Sequence, residues 1–354
     1  MKRIGVLTSG GDAPGMNAAI RAVVRAGLSR NISTIGFLRG YNGLLMQSAS
    51  NQENFLVLTS REVSGTVHRG GTFLMTARCM EFRQKEAQIR AVHNLKSLGI
   101  EGLVCIGGNG TFHGAAALKE LGFPVIGVPG TIDNDMAYTD YSIGFDTALD
   151  TAIENIDRIR DTCGSHERAS LITVMGRDCG EIACHTGLAC GAEVVLVPEI
   201  PWTLEEVAER VKWAALNGKS SVIIIYAEGA LASLTSDIAD ICAKHEQLKG
   251  IGGERIHSQD IARIIEVLAG HEVRATVLGY TQRGGSPSAK DRVLANRMGA
   301  YAVDLLADGI SGVAVGVHGE ELIYVPVEEA MNSVVPQKTI KEMHDLIARL
   351  AGVQ

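Results

Sequence analysis

Asp133 and Asp135 are two carboxylates one residue apart, flanked by Thr131 and Asn134. In extended backbone, a spacing of two aims both side chains to one side. One can accept a proton from an attacking hydroxyl while the other holds a hard cation through oxygen. The preceding Pro129-Gly130 and the apolar run leading into it argue against a mere solvated acidic turn. Gly10-Gly11 lies between a strand-like run and a helical pattern for which Asn17 or a neighbour is the expected cap. Bare glycine backbone lets N–H groups approach an anion, and a helix N-terminus adds partial positive charge. Gly107-Gly108-Asn109-Gly110-Thr111 repeats the device, and Gly114, read in the first turn of the next helix, leaves room for a bulky nucleotide group. Neither loop matches the P-loop or dinucleotide spacing. Arg78, Arg83, Arg168, Arg177, Arg274 and Arg283 mostly fall beside glycines or at strand ends, not on charged helical faces. Arginine suits bidentate phosphate recognition and the neutralisation of a transferring phosphoryl group. Taken together, the residues point to phosphoryl transfer onto a phosphorylated acceptor, chemistry in which a protein mainly positions groups and neutralises charge.

These residues need a scaffold that gathers them. Apolar, β-branched runs predict strands over Ile4–Thr8, Ser33–Leu38, Gly102–Ile106, Pro124–Val128, Ser170–Val174, Val194–Val197, Ser221–Tyr226 and Arg274–Gly279. Continuous apolar runs are what strands covered on both faces require. Helical patterns lie at Ala18–Leu28, Gln84–Leu98, Gly114–Leu121, Thr147–Arg160, Glu181–Cys190, Leu204–Leu216, Ser258–Leu268, Asp291–Leu306 and Lys338–Leu350. The alternation predicts an α/β protein with doubly wound sheets, whose ligands sit beyond the carboxyl ends of the strands. Six strand ends are polar or glycine-rich, as if one large site were assembled at the mouths of two sheets.

Composition narrows the field further. The 354 residues suggest two domains at roughly 150 residues each. Forty acidic and 33 basic side chains give a net charge of −7, which argues against a non-specific nucleic-acid binder. A hydrophobic fraction of 46% and 21% charged residues describe an ordinary globular chain, not a disordered one. No apolar run approaches the roughly 18–20 residues that cross a bilayer. Met1-Lys2-Arg3 runs straight into a strand-like segment, giving no sign of a secretory signal. Seven cysteines, without a C-x-x-C pair, read as reduced thiols in a cytoplasm. Cys179, Cys184 and Cys190, with His185 among them, have no zinc-finger spacing and read as part of a tightly packed helix.

The segments Thr8–Arg21 (TSGGDAPGMNAAIR), Pro129–Asp135 (PGTIDND), Met175–Arg177 and Gln282–Pro287 (QRGGSP) closely resemble those of the bacterial ATP-dependent 6-phosphofructokinases, collinearly from about residue 3 to about 330. The resemblance implies two doubly wound, Rossmann-like, three-layer domains with mainly parallel sheets and an active site in the cleft between them. An ATP-binding domain would comprise residues 1–144 plus 282–333, and a fructose-6-phosphate-binding domain 145–281 plus 334–354. It implies phosphorylation of the sugar 1-hydroxyl in a homotetramer with shared active sites, the committed step of glycolysis.

Position by position, the resemblance implies that Gly11, Tyr41, Arg78, Cys79, Arg83, Gly108, Asn109, Gly110, Thr111 and Gly114 line the ATP site. Asp133 would be the base, with Thr131 beside the transferring phosphate, and Asp135 would help hold Mg²⁺. Arg78, Arg177 and the Gly11 amide would neutralise the γ-phosphoryl. Met175, Gly176, Glu228, Tyr280 and Arg283 would bind fructose 6-phosphate, with Arg168 and Arg274 gripping its 6-phosphate from a neighbouring subunit. Arg21, Arg25, Arg160, Glu193 and Lys219 match positions of an inter-subunit effector site for a nucleoside diphosphate or phosphoenolpyruvate. Gly110 and Gly130 stand where pyrophosphate-using relatives place Asp and Lys, which favours ATP as donor.

Four features depart from the family pattern. Asn109 replaces an Asp that helps bind the metal; Tyr280 replaces a His that contacts the sugar phosphate. The stretch Gly229–Glu272, with Gly250-Ile-Gly-Gly253 at its middle, is longer than usual and reads as an inserted helical excursion. Asn217, Ser220 and Ser221 fall where regulated members are more basic. Two competing readings are a kinase of a different acceptor and a catalytically weakened, sugar-phosphate-sensing paralogue. Arg168, Glu228, Arg274 and Arg283 argue against the first, and Asp133, Asp135, Arg78 and Arg177 against the second.

Overall fold

The computed structural model describes residues 1–45, 54–251 and 255–352. The chain divides into one unit of Met1–Ala148 with Arg283–Val334 and another of Leu149–Gln282 with Val335–Gln354. Gly252 and Gly253 of the long stretch lie outside the described residues.

The first unit holds strands β1 (Arg3–Thr8), β2 (Ser33–Phe37), β3 (Phe55–Leu58), β4 (Gly102–Gly107), β5 (Val125–Pro129), β10 (Val313–His318) and β11 (Glu321–Pro326). They form one sheet in the order β11-β10-β5-β4-β1-β2-β3. All neighbours are parallel except the two edge pairs β2–β3 and β10–β11. Side chains alternate between the faces of a strand. Leu7, Ile35, Phe37, Leu103, Cys105 and Val125 therefore share one face, where they form a core with helices α2 (Tyr41–Leu45), α3 (Lys85–Ser97), α4 (Asn109–Glu120) and α11 (Val327–Asn332). Helix α1 (Met16–Ser29) packs against α10 (Ala289–Ala307), and both contact the sheet.

The second unit carries β6 (Arg168–Val174), β7 (Val194–Leu196), β8 (Ser221–Ala227) and β9 (Val273–Val277), all parallel in the order β7-β8-β6-β9. Helix α7 (Leu204–Leu216) packs on α9 (Ser258–Ala269), and α6 (Glu181–Cys190) on α12 (Gln337–Leu350). The long stretch after β8 contains a 3₁₀ turn at Ala230–Ser233, the short helix α8 (Ile238–Lys244) and a second 3₁₀ turn at Glu246–Leu248. Helix α5 (Phe145–His166) contains the first crossing of the chain between units. No described helix is long and apolar enough to cross a membrane.

Three expectations change in detail. Helix α4 begins at Asn109, not Gly114, so Asn109, Gly110 and Thr111 form its first turn and Gly108 is its cap. Gly15, with φ 106°, caps α1; Asn17 lies inside the helix and binds elsewhere. The run expected to be strand through Gly279 ends at Val277, and Gly279–Arg283 forms a 3₁₀ turn.

Candidate active site

In the first unit, the loops following three adjacent strands are stitched together. Ser9 N–H donates to the Ile106 carbonyl at 3.0 Å, and Thr111 Oγ1 donates to the Ser9 carbonyl at 3.0 Å. A Cβ on Gly107 would lie 2.4 Å from that carbonyl, so only glycine permits the approach. Gly130 N–H donates to the Gly107 carbonyl at 3.1 Å, tying in the loop after β5. The first turn of α4 thereby stands beside the loops of β1 and β5, and a helix N-terminus is a favourable place for an anion.

Asp133 is 1% exposed and Thr131 7%. Asp133 N–H donates to Thr131 Oγ1 at 3.2 Å. Between the two carboxylates, Asn134 adopts φ 50°. Its side-chain oxygen accepts from Ser142 N–H at 2.9 Å and Ser142 Oγ at 3.2 Å, which holds the turn. Arg283 joins this loop to the first one. Its Nη2 lies 3.9 Å from Asp133 Oδ1, and its Nη1 donates to the Asp12 carbonyl at 3.3 Å. The guanidinium also covers Gly11, where a Cβ would meet Nη1 at 2.7 Å. Gly11, Asp133 and Arg283 thus form one contiguous patch. A Cβ on Gly108 would reach Thr131 at 3.4 Å, adding the head of α4 to that patch.

Asn109 Nδ2 donates to Asp135 Oδ2 at 3.4 Å. Its Oδ1 is buried without a hydrogen-bond partner. A carbonyl oxygen so placed beside a carboxylate fits a hard cation or one of the cation's waters. Among the described residues, no cluster of three or more His, Cys, Asp or Glu side chains could hold a metal by itself. A cation here would therefore draw further ligands from water and phosphate oxygens, as Mg²⁺ commonly does.

The remaining residues assigned to the nucleotide divide in two. Arg78 and Arg83 are exposed, Arg83 ending a 3₁₀ turn at Met80–Arg83; Cys79, just before it, is half-buried, and burial pushes its thiol up. Tyr41 lies in the core, stacked on Phe82 with ring centroids 4.3 Å apart. Its hydroxyl donates to the Thr111 carbonyl at 2.6 Å. A Cβ on Gly114 would lie 2.4 Å from that ring, so the space at Gly114 is filled by Tyr41 and not left for a nucleotide. At Gly110, by contrast, nothing lies within 4 Å of an added Cβ. At buried Gly130 a Cβ would meet Ile106 at 3.1 Å and Met16 at 3.3 Å, leaving no room for a lysine.

In the second unit, Met175, Gly176 and Arg177 follow β6. Gly176 has φ 131° and Arg177 φ 53°. Arg177 N–H donates to Glu228 Oε1 at 2.8 Å, and a Cβ on Gly229 would lie 2.3 Å from the Arg177 carbonyl. Met175 N–H donates to Gln282 Oε1 at 2.9 Å. Tyr280, on the turn Gly279–Arg283, is 84% exposed. Arg168 and Arg274 lie near the other, amino end of the sheet and share Glu272 Oε1, at 3.4 and 2.7 Å. They do not gather with Met175 and Glu228: the seven residues of β6 span about 20 Å.

The residues assigned to an effector fall in both units. Glu193, 4% exposed, accepts from Lys219 Nζ at 2.8 Å and Ile223 N–H at 2.7 Å. Arg160 donates to the Cys190 carbonyl. In the other unit, Arg21 donates to Asn296 Oδ1 at 3.4 Å and Arg25 is exposed.

Several residues that shape the site escaped the motif reading. Asn17 Nδ2 donates to the Arg69 and Gly70 carbonyls, and its Oδ1 accepts from Phe73 N–H at 2.9 Å. Buried Asp291 accepts from Gly144 N–H, Thr147 N–H and Thr147 Oγ1, which secures the start of α5; burial still raises its pKa. Gln282, 0% exposed, holds the end of β6. Asn17 and Gln282 stand inside the quoted motifs, which was the available signal.

A family described as phosphofructokinase matches residues 3–306. The chain is 44% identical over 351 residues to an ATP-dependent 6-phosphofructokinase of Clostridium botulinum (strain Loch Maree), covering 99% of this chain and all of that one. It is 48% identical over 332 residues to the ATP-dependent 6-phosphofructokinase of Clostridium tetani, covering 94% of each chain. A solved phosphofructokinase of Saccharomyces cerevisiae superposes with a TM-score of 0.80 at 32% identity, over 99% of this chain and 48% of the yeast chain. The chain belongs to the phosphofructokinase family.

Proposed function

We propose that the chain transfers the γ-phosphoryl group of ATP to the 1-hydroxyl of fructose 6-phosphate, giving fructose 1,6-bisphosphate. The observation that carries this reading is the patch in which Arg283 touches both the Gly11 turn and buried Asp133. Asp133 takes the proton of the 1-hydroxyl as its oxygen attacks the phosphorus, with Thr131 beside the transferring group. The Gly11 amide, Arg78 and Arg177 neutralise charge on that group, the usual main task in phosphoryl transfer. Gly108, Gly110 and the first turn of α4 receive the phosphate chain. Open space at Gly110 and the closed packing at Gly130 support ATP over pyrophosphate. Asp135 and Asn109 would hold Mg²⁺, which when bound offsets charge on the donor's phosphates. Met175, Glu228 and Arg283 bind the acceptor.

Arg168 on β6 and Arg274 on β9, both toward the end of the sheet away from Met175, reach the 6-phosphate of a neighbouring subunit's acceptor, so the working form is a homotetramer. The effector residues Arg160, Glu193 and Lys219 of one unit and Arg21 and Arg25 of the other would complete one site across subunits, and a nucleoside diphosphate or phosphoenolpyruvate is the ligand class. The enzyme works in the cytoplasm. The sensing-paralogue reading is not favoured, since a chain without catalysis needs no proton acceptor at Asp133. An assay of the purified chain with fructose 6-phosphate, comparing ATP and pyrophosphate at several Mg²⁺ levels, tests the proposal. Turnover with ATP is the expected result, and none with either donor at saturating metal overturns it.

A further inference from the structure

Thr76 Oγ1 donates to the Gly10 carbonyl at 2.7 Å. That carbonyl belongs to the peptide unit whose N–H is that of Gly11. A peptide unit is planar, and this one is trans, so its oxygen and its hydrogen point in opposite directions. A bond that fixes the oxygen therefore also fixes where the Gly11 N–H is aimed. Such a tether matters here, because Gly10 has φ 85° and glycine resists rotation of its peptide planes less than any other residue.

The segment that carries Thr76 is itself anchored. Asn17, 1% exposed, bonds to Arg69, Gly70 and Phe73. Thr8 Oγ1 lies 2.9 Å from Thr72 Oγ1 and 3.0 Å from the Met75 carbonyl. Gly70 passes so close to Gly285 that a Cβ there would lie 2.2 Å from its carbonyl oxygen. Six contacts thus hold residues 69–75 against β1, α1 and the Gly285 turn, and Thr76 projects from that fixed base onto the glycine turn.

We infer that Thr76 is a positioning residue for phosphoryl transfer: its hydroxyl locks the Gly10–Gly11 peptide so that the Gly11 N–H faces the transferring phosphoryl group. The inference rests on the reading of the Gly11 amide given above. Preorganised N–H donors are effective because they need no reorganisation as charge develops. A hydroxyl bonded to the carbonyl also polarises the peptide and strengthens its N–H as a donor.

The test compares Thr76→Val, which keeps the branched shape without the hydroxyl, with Thr76→Ser, which keeps the hydroxyl. Steady-state kinetics with ATP and fructose 6-phosphate, ADP affinity by calorimetry, and thermal unfolding are measured on the full chain. Thr76→Val should lower kcat about tenfold, a fraction of what losing an oxyanion donor outright costs. ADP, which lacks the γ-phosphoryl group, should bind within about twofold of the unsubstituted chain, and Thr76→Ser should restore kcat to within about twofold. If kcat is unchanged in Thr76→Val, if ADP affinity falls in step with kcat, or if Thr76→Ser is as slow as Thr76→Val, the positioning role is wrong. A Thr76→Val chain as active as an unsubstituted chain that turns over ATP overturns the positioning role alone. An unsubstituted chain inert with ATP overturns the Gly11 reading with it.

Discussion

Arg283 stands with Nη2 3.9 Å from Asp133 Oδ1, while its Nη1 lies over Gly11 and bonds the Asp12 carbonyl. One guanidinium thus links the proton acceptor to the anion-binding turn. Arg283→Ala should raise KM for fructose 6-phosphate at least about tenfold and lower kcat, since hydrogen bonds to charged groups are worth about 1.5–3 kcal/mol. Arg283→Lys keeps the charge but not the planar fork, so it should recover only part of the loss. Steady-state kinetics decide, and a lysine variant equal to the unsubstituted chain would show that the fork is not used.

Asn109→Asp exchanges the donor at 3.4 Å from Asp135 for a second carboxylate. Without metal the two charges repel by about 4 kcal/mol, taking the effective dielectric of a partly buried site at such a separation. With Mg²⁺ the added negative charge strengthens binding. Thermal unfolding in a chelator should therefore begin at a lower temperature than for the unsubstituted chain, and Mg²⁺ should reverse that difference. The Mg²⁺ concentration for half-maximal rate should fall; an unchanged or higher requirement would remove Asn109 from the metal's surroundings.

Gly114→Ala places a methyl group 2.4 Å from the Tyr41 ring. The ring is buried, stacked on Phe82 and tied to Thr111, so it cannot yield cheaply. Overpacking of this kind costs about 1–3 kcal/mol. Denaturant unfolding should show that loss, and a fully stable variant would mean Tyr41 has somewhere else to go.

His344, on α12, bonds through Nε2 to the Val195 carbonyl at 3.0 Å. Burial holds its pKa below the ordinary imidazole value. The folded state therefore favours the neutral ring. The resulting stability is present above the ordinary value near 6.5 and is lost as pH falls through the lower, folded value. Unfolding free energy measured between about pH 7.5 and 5.5 should decline on acidification, and His344→Gln should flatten that slope. An equal slope in both chains would assign the decline to other groups.

Much of the scaffold was legible because parallel strands buried on both faces announce themselves as apolar runs, as in β4 and β8. Strands β3 (FLVL) and β11 (ELIYVP) were missed although each holds a short apolar run: both are half-exposed edge strands, of four and six residues, paired antiparallel outside the parallel strand–helix alternation. In β10, Gly316 weakens the strand signal, yet the structure needs it: a Cβ there would meet Thr139 and Tyr138 at 3.0 Å. Helices α2, α8 and α11, of 5, 7 and 6 residues, are too short to display a period. Among the site residues, Asp133, Gly11 and Arg283 stood out by type and motif, and in the structure they touch. Gly114 was read as room for a ligand because no local pattern reveals that Tyr41, far away in sequence, fills it. Thr76 was invisible for the same reason, its bond to Gly10 joining residues 66 apart.

Asp133 carries the central claim, and turnover against nucleotide affinity in Asp133→Ser tests it most directly. General-base catalysis supplies about 10²–10⁴-fold, so kcat should fall by that order while the dissociation constant for ATP moves no more than about threefold. Loss of both in equal measure, or a serine variant that keeps its turnover, would contradict the assignment of Asp133 as the proton acceptor.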